Sequence, residues 1–120
     1  MFIILKGRVP SKKNSRNIFT RNGHLFNIPS KDYVEWHKNA KLQLLPFLKR
    51  DPLNSIINIR IVFYPDSKRK FDLTNKAESI LDLLVDSRIL SDDNWSIVPS
   101  LYLQMGIVEK NNPQTEITIE

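Results

Sequence analysis

Residues 67–95 read SKRKFDLTNKAESILDLLVDSRILSDDNW. Leu73, Ala77, Ile80, Leu81 and Leu84 recur at i, i+4, i+7, i+8 and i+11. That spacing is one apolar stripe at the 3.6-residue period and predicts an amphipathic helix. Asp72 stands where an N-cap stands, so its carboxylate is expected to meet free backbone N–H groups and the positive end of the helix dipole. Asn75, Lys76 and Ser79 share the polar flank of Asp72. Thr74, Glu78 and Asp82 share the other flank. Arg88 and the segment Leu90-Ser91-Asp92-Asp93-Asn94 follow as a turn, because Ser, Asp and Asn side chains bond to nearby backbone.

On the N-terminal side of this helix, Ile56 to Tyr64 alternates and predicts a strand, with Ile57, Ile59, Ile61 and Phe63 on one face. Phe2 to Val9 is a further strand, closed by Pro10. Ser11 to Arg16 is a polar, basic loop. Asn17–Thr20 and Leu25–Ile28 flank Asn22-Gly23, a pair that tolerates positive φ and predicts a hairpin. Ser30 is the expected N-cap of another helix, with Tyr33, Trp36, His37, Ala40 and Leu44 as its stripe and an end or kink at Pro46. His37 reads as a packed or surface histidine on that helix. On the C-terminal side, Trp95 to Val108 reads as a strand with Leu101, Leu103, Met105 and Ile107 inward. Thr115 to Glu120 is expected to pair back as a C-terminal hairpin, with Ile117 and Ile119 inward. The sum is an α+β chain, one domain over residues 1–120, with one mixed sheet and two helices packed on it.

The chain has 120 residues, 41% hydrophobic and 26% charged, as a single globular domain does. It has no cysteine, which excludes disulfides and thiolate metal sites. Its two histidines, His24 and His37, make an imidazole cage a poor expectation. Any metal would therefore sit on oxygen, which favours magnesium, with manganese next, over zinc. The net charge of +5 points to a polyanionic partner. No apolar run is long enough for a membrane span, and Met1–Leu5 is too short for a signal-peptide core, so a cytoplasmic setting is expected.

The chemistry-bearing pattern is a basic run (Lys68, Arg69, Lys70), then Asp72, then a helix, then Asp92 and Asp93. Cations beside isolated carboxylates suit an enzyme that holds a phosphodiester near a divalent ion. Each piece also has a plain reading: a helix-opening aspartate is most often a cap, an Asp-Asp-Asn run a solvated turn, and a basic run a wet surface.

Taken in order, these pieces resemble the RusA family of Holliday junction resolvases. The matching residues are Lys68-Arg69-Lys70, Asp72-Leu73-Thr74-Asn75, Ile80 to Leu84 and Leu90-Ser91-Asp92-Asp93. Pro10-Ser11-Lys12-Lys13-Asn14-Ser15 also resembles the family's opening Pro-Ser-x-x-Asn. The resemblance implies a homodimer, in a bacterial or phage setting, that resolves four-way DNA junctions by paired nicks with a divalent metal. It implies Asp72 and Asp93 as the minimum ligand pair, with Asp92 or Glu78 completing the shell. Lys76 would stabilise the leaving oxygen or bind phosphate, and Asn75 would orient a ligand. DNA backbone would be met by Lys12, Lys13, Asn14, Arg16, Lys68, Arg69 and Lys70. One departure stands out. The family pattern is Asp-x-Asp-Asn, and here the second position is Thr74, a poorer ligand for a hard cation. Glu78, one turn further on the same flank, is the candidate replacement, although many members carry a lysine there. The departure keeps a weak or inactive junction-binding protein open, beside a general structure-selective nuclease.

Overall fold

A computed structural model describes residues 1–12 and 16–120, with the side chain of Arg16 outside the description. The elements run β1 (Phe2–Lys6), β2 (Arg16–Arg21), β3 (His24–Pro29), α1 (Lys31–Leu44), a 3-10 turn (Leu45–Phe47), β4 (Ile59–Tyr64), α2 (Leu73–Asp86), β5 (Leu101–Met105) and β6 (Gln114–Ile119). Four strands form one mixed sheet in the order β1-β6-β4-β5, and β2 and β3 pair separately. The fold is α+β.

Local chemistry explains most boundaries. Asn22 (φ 52°) and Gly23 (φ 78°) both take the left-handed conformation a two-residue hairpin turn requires. Ser30 caps α1, its Oγ accepting from the Tyr33 N–H at 3.2 Å. Pro46 ends the α-helical hydrogen bonding, and the chain tightens into the 3-10 turn. Arg88 (φ 62°) takes the left-handed position just past α2.

One face of the sheet is buried. Ile3 and Leu5 of β1, Ile59, Ile61 and Phe63 of β4, and Thr115, Ile117 and Ile119 of β6 alternate into it. Ala40 and Leu44 of α1 and Ile80, Leu83 and Leu84 of α2 close over it. Side chains of this kind contribute about 1.5–3 kcal/mol each when fully buried, so packing rather than helix propensity holds α2 in place. The opposite face stays wet, with Phe2, Ile4 and Arg60 exposed.

Four expectations are corrected. β1 stops at Lys6, because Gly7 turns at φ 104° and its N–H bonds to Pro113 O at 2.9 Å. β4 starts at Ile59, leaving Ile57 74% exposed. The expected strand over 95–108 shrinks to β5, with Trp95 out in a solvated turn. Of its expected inward residues only Leu103 packs on the core; Leu101 and Met105 lie at the ends of an edge strand, and Ile107 lies beyond it.

The fourth correction is topological. β5 and β6 make no C-terminal hairpin. β6 lies between β1 and β4, antiparallel to both, with Ile117 opposite Ile3 on one side and Ile61 on the other. β5 instead pairs in parallel with β4. Parallel neighbours need a long crossover, and here that crossover carries Asp72, α2 and the turn with Asp92 and Asp93.

Candidate active site and nucleic-acid interface

The loop over residues 65–72 leaves the carboxyl end of β4 and enters the N-terminus of α2. In sheets with strand-helix-strand crossovers this is where ligands are met. Lys68, Arg69 and Lys70 are exposed on the loop. The Arg69 N–H bonds to Ser67 Oγ at 3.3 Å, which bends the run. Asp72 occupies the N-cap position of α2 with an extended backbone (φ −87°, ψ 125°), yet its side chain makes no capping hydrogen bond. Its Oδ2 instead accepts from Asn75 Nδ2 at 3.2 Å. Asp72 lines a cavity of about 620 Å³ together with the basic run, Phe71 and Met105.

One side of α2 grips the N-terminal segment. Lys76 is buried, its Nζ donating to Val9 O at 2.7 Å and lying 4.1 Å from the Phe71 ring centre. Ser79 is fully buried, its Oγ donating to Pro10 O at 2.7 Å and accepting from Lys12 N–H at 3.0 Å. Lys12 Nζ pairs with Asp82. Lys76, Ser79 and Asp82 recur every three residues, so they rise along one side of the helix and hold residues 9–12 against it. Burial is the main reason the Lys76 ammonium is pushed down to about 8; Arg8 and Arg69 add repulsion, and Asp66 acts the other way.

The acidic turn is held from behind. Leu53 N–H bonds to Ile89 O at 2.8 Å and Ser91 N–H to Leu53 O at 2.9 Å, pinning the chain just before Asp92. Asp92 is locally engaged: Oδ1 accepts from the Asp93 N–H at 2.7 Å and Oδ2 from Asn94 Nδ2 at 3.0 Å. Those bonds hold its carboxyl below the usual range. Asp93 moves the other way. Its carboxyl is raised first by partial burial, then by its contact with Asp92 and by the negative charges of Asp82 and Asp92. Thr74 and Glu78, on the remaining polar flank of α2, are both exposed.

Asp72 is therefore grouped with Lys68, Arg69, Lys70 and Asn75, whereas Asp93 is tied through its N–H to Asp92 within the acidic turn. Among the described residues no three histidine, cysteine, aspartate or glutamate side chains come close enough together to hold a metal ion. The donors present are oxygen, the kind magnesium prefers, and magnesium takes only one or two carboxylates when water and phosphate complete its shell. A cage of three carboxylates does not form among these residues. The expectations for Lys13 and Asn14, and for the Arg16 side chain, lie outside the described residues. Sequence reading left Asp82 out of the candidate site. Its signal was a carboxylate inserted between Leu81 and Leu83 on an otherwise apolar run.

Comparison with known proteins bears on the same residues. The model of the family described as endodeoxyribonuclease RusA matches residues 9–120. The chain is also similar to the crossover junction endodeoxyribonuclease RusA of Aquifex aeolicus (strain VF5), 25% identical over 87 residues that cover 72% of this chain and 68% of that protein. The matched span runs from the segment gripped by α2 through the last strand of the sheet, so it takes in the basic run, Asp72 and the acidic turn; this chain belongs to the RusA endodeoxyribonuclease family.

Proposed function

We propose that this protein is a magnesium-dependent endodeoxyribonuclease that resolves four-way DNA junctions by paired nicks, in recombination and repair. The observation that carries the reading is Asp72. It occupies a cap position without capping, and it lines a cavity together with three cations. A divalent ion there would offset charge on the phosphate and supply a metal-activated water. Asp72 and Asp93 are the carboxylates assigned to it, with Asp92 shaping the turn that presents Asp93. Asn75 orients Asp72, and Glu78 is exposed on the Thr74 flank, free to turn toward a ligand. Lys68, Arg69 and Lys70 take backbone phosphates, a contact that positions DNA without reading bases. Lys12 is held against α2 by Ser79 and Asp82.

The acting species is a homodimer, because twofold symmetry matches paired nicks on a symmetric junction. Exposed Ile18, Phe19, Leu25, Phe26 and Ile28 on the β2–β3 hairpin support it, since a second copy would cover them. Sedimentation should give a dimer that Leu25→Lys splits.

The test is cleavage of a synthetic four-way junction with magnesium, beside linear duplex and a flap. Junction nicking that stops with a chelator and with Asp72→Asn or Asp93→Asn is expected; unchanged cleavage in both variants overturns the reading. Equal cutting of duplex would make the protein a general structure-selective nuclease. Thr74, together with the lack of a three-carboxylate cluster among the described residues, favours a second reading, a junction-binding protein of weak activity. A large gain in rate with Thr74→Asp would support that one.

A further inference from the structure

A second cavity, of about 430 Å³, opens on the other side of the basic loop. It shares Ser67, Arg69, Lys70 and Phe71 with the Asp72 cavity, so one strip of chain walls both. Its remaining wall comes from the gripped N-terminal segment, from α1, from Pro65 and Asp66, and from Lys76 of α2. Four cations line it, Arg8, Arg69, Lys70 and Lys76, against two carboxylates, Asp32 and Asp66. The cations are crowded enough that Arg8 and Arg69 both disfavour the charged form of Lys76. Two further lining residues carry buried side-chain polar atoms without a hydrogen-bond partner among the described residues, Ser11 Oγ and Trp36 Nε1. A buried donor left unmade costs about 1–3 kcal/mol, and mutually repelling cations are stabilised by an anion between them. Both deficits are met by one ligand chemistry, a group with negative charge and several acceptor oxygens.

We propose that this cavity is a phosphate-binding pocket that seats a non-scissile phosphate of the DNA strand whose neighbouring phosphodiester faces Asp72. Phosphate recognition stands on the pocket's own residues; its assignment to a DNA strand rests on the nuclease reading. Arg8 supplies the planar guanidinium that pairs with two phosphate oxygens at once. Lys76, fixed between Val9 O and Phe71, supplies a point charge at the base. The pocket would set the register of the strand across the basic loop, so that cutting occurs at a fixed distance from it.

Trp36 reports on the pocket directly. The chain has two tryptophans, so Trp95→Phe leaves Trp36 as the single indole. In that background, without divalent metal, inorganic phosphate and then a DNA tetranucleotide without terminal phosphate are titrated while the indole N–H resonance is followed. Both probes should shift it. Arg8→Gln should weaken both by about tenfold, the loss of one charged contact worth about 1.4 kcal/mol. Arg8 is exposed, so this variant leaves the core intact, and a thermal melt checks that. In an Asp72→Asn protein, Arg8→Gln should also lower the salt dependence of junction binding by about one phosphate contact. A Trp36 resonance that ignores both probes in an active nuclease overturns the pocket and leaves the nuclease reading standing. A shift with phosphate alone assigns the pocket to a free anion and overturns the strand contact. Both probes binding in a protein that never nicks DNA keeps the pocket and removes the nuclease.

Discussion

The two helices open alike in the text and differently in space. Ser30 before α1 and Asp72 before α2 are both favoured N-cap residues, each in an extended conformation. Ser30 bonds to the N–H of Tyr33 and so supports its helix. Asp72 leaves the first-turn N–H groups of α2 without its help and turns toward Asn75 and the basic cavity. Helix α1 depends on its cap more, because fewer of its residues are buried. Helix α2 has Ile80, Leu83 and Leu84 fully buried, and so can spare its N-cap carboxylate for another task. A cap position without a capping bond, on a helix held by its packing, is what the proposed role of Asp72 builds on.

The largest test of that contrast is Asp72→Asn. Junction cleavage should fall by about 10³-fold, about 4 kcal/mol of transition-state stabilisation, with the melting temperature unmoved. A protein that keeps its rate would make Asp72 a plain helix-start residue, since Asn caps a helix as well as Asp does. Next comes Ser79→Ala. It should cost about 1–3 kcal/mol in denaturant unfolding, because Pro10 O and Lys12 N–H both lose a buried partner. Junction binding should weaken with it, since residues 9–12 would leave α2. Ser30→Ala should cost about 1 kcal/mol with cleavage unchanged, the mirror image of the Asp72 result.

The smallest effect at neutral pH belongs to Lys76→Met, read as stability against pH. The Lys76 ammonium lies near 8 in the folded chain, below its ordinary 10.5, chiefly through burial. Below about pH 8 both states hold the proton, and the cost of the buried charge is present in full. Between about 8 and 10.5 the unfolded chain binds more protons, so the wild type should gain stability as pH rises through that window. Lys76→Met should lack that gain. Parallel curves for the two proteins would mean that Lys76 is charged at no cost, held by Val9 O and Phe71.

Local chemistry was legible in the chain. The Asn22-Gly23 turn, the Ser30 cap, the break at Pro46 and the apolar stripe of α2 each follow from interactions among residues a few positions apart, and all four are present in the fold. The stripe omitted Leu83 and treated Lys76 and Ser79 as solvent-facing. Their partners, Val9 O, Pro10 O and Lys12 N–H, are more than sixty residues away, beyond any periodic pattern. Strand partners were hidden for the same reason. Every strand of a one-sided sheet shows the same alternation, so nothing in β6 names β1 and β4 as its neighbours.

What the sequence alone determined is the set of elements, the charge that calls for a polyanion, and the order of basic run, aspartate, helix and acidic turn. Only the tertiary structure decided that β5 runs parallel to β4 and β6 lies inside the sheet. It also decided that Asp82 pairs with Lys12, and that the basic loop walls two cavities. Backbone propensity and periodicity act over a few residues, whereas burial and charge act through space, and those contacts exist only once distant segments have been packed together.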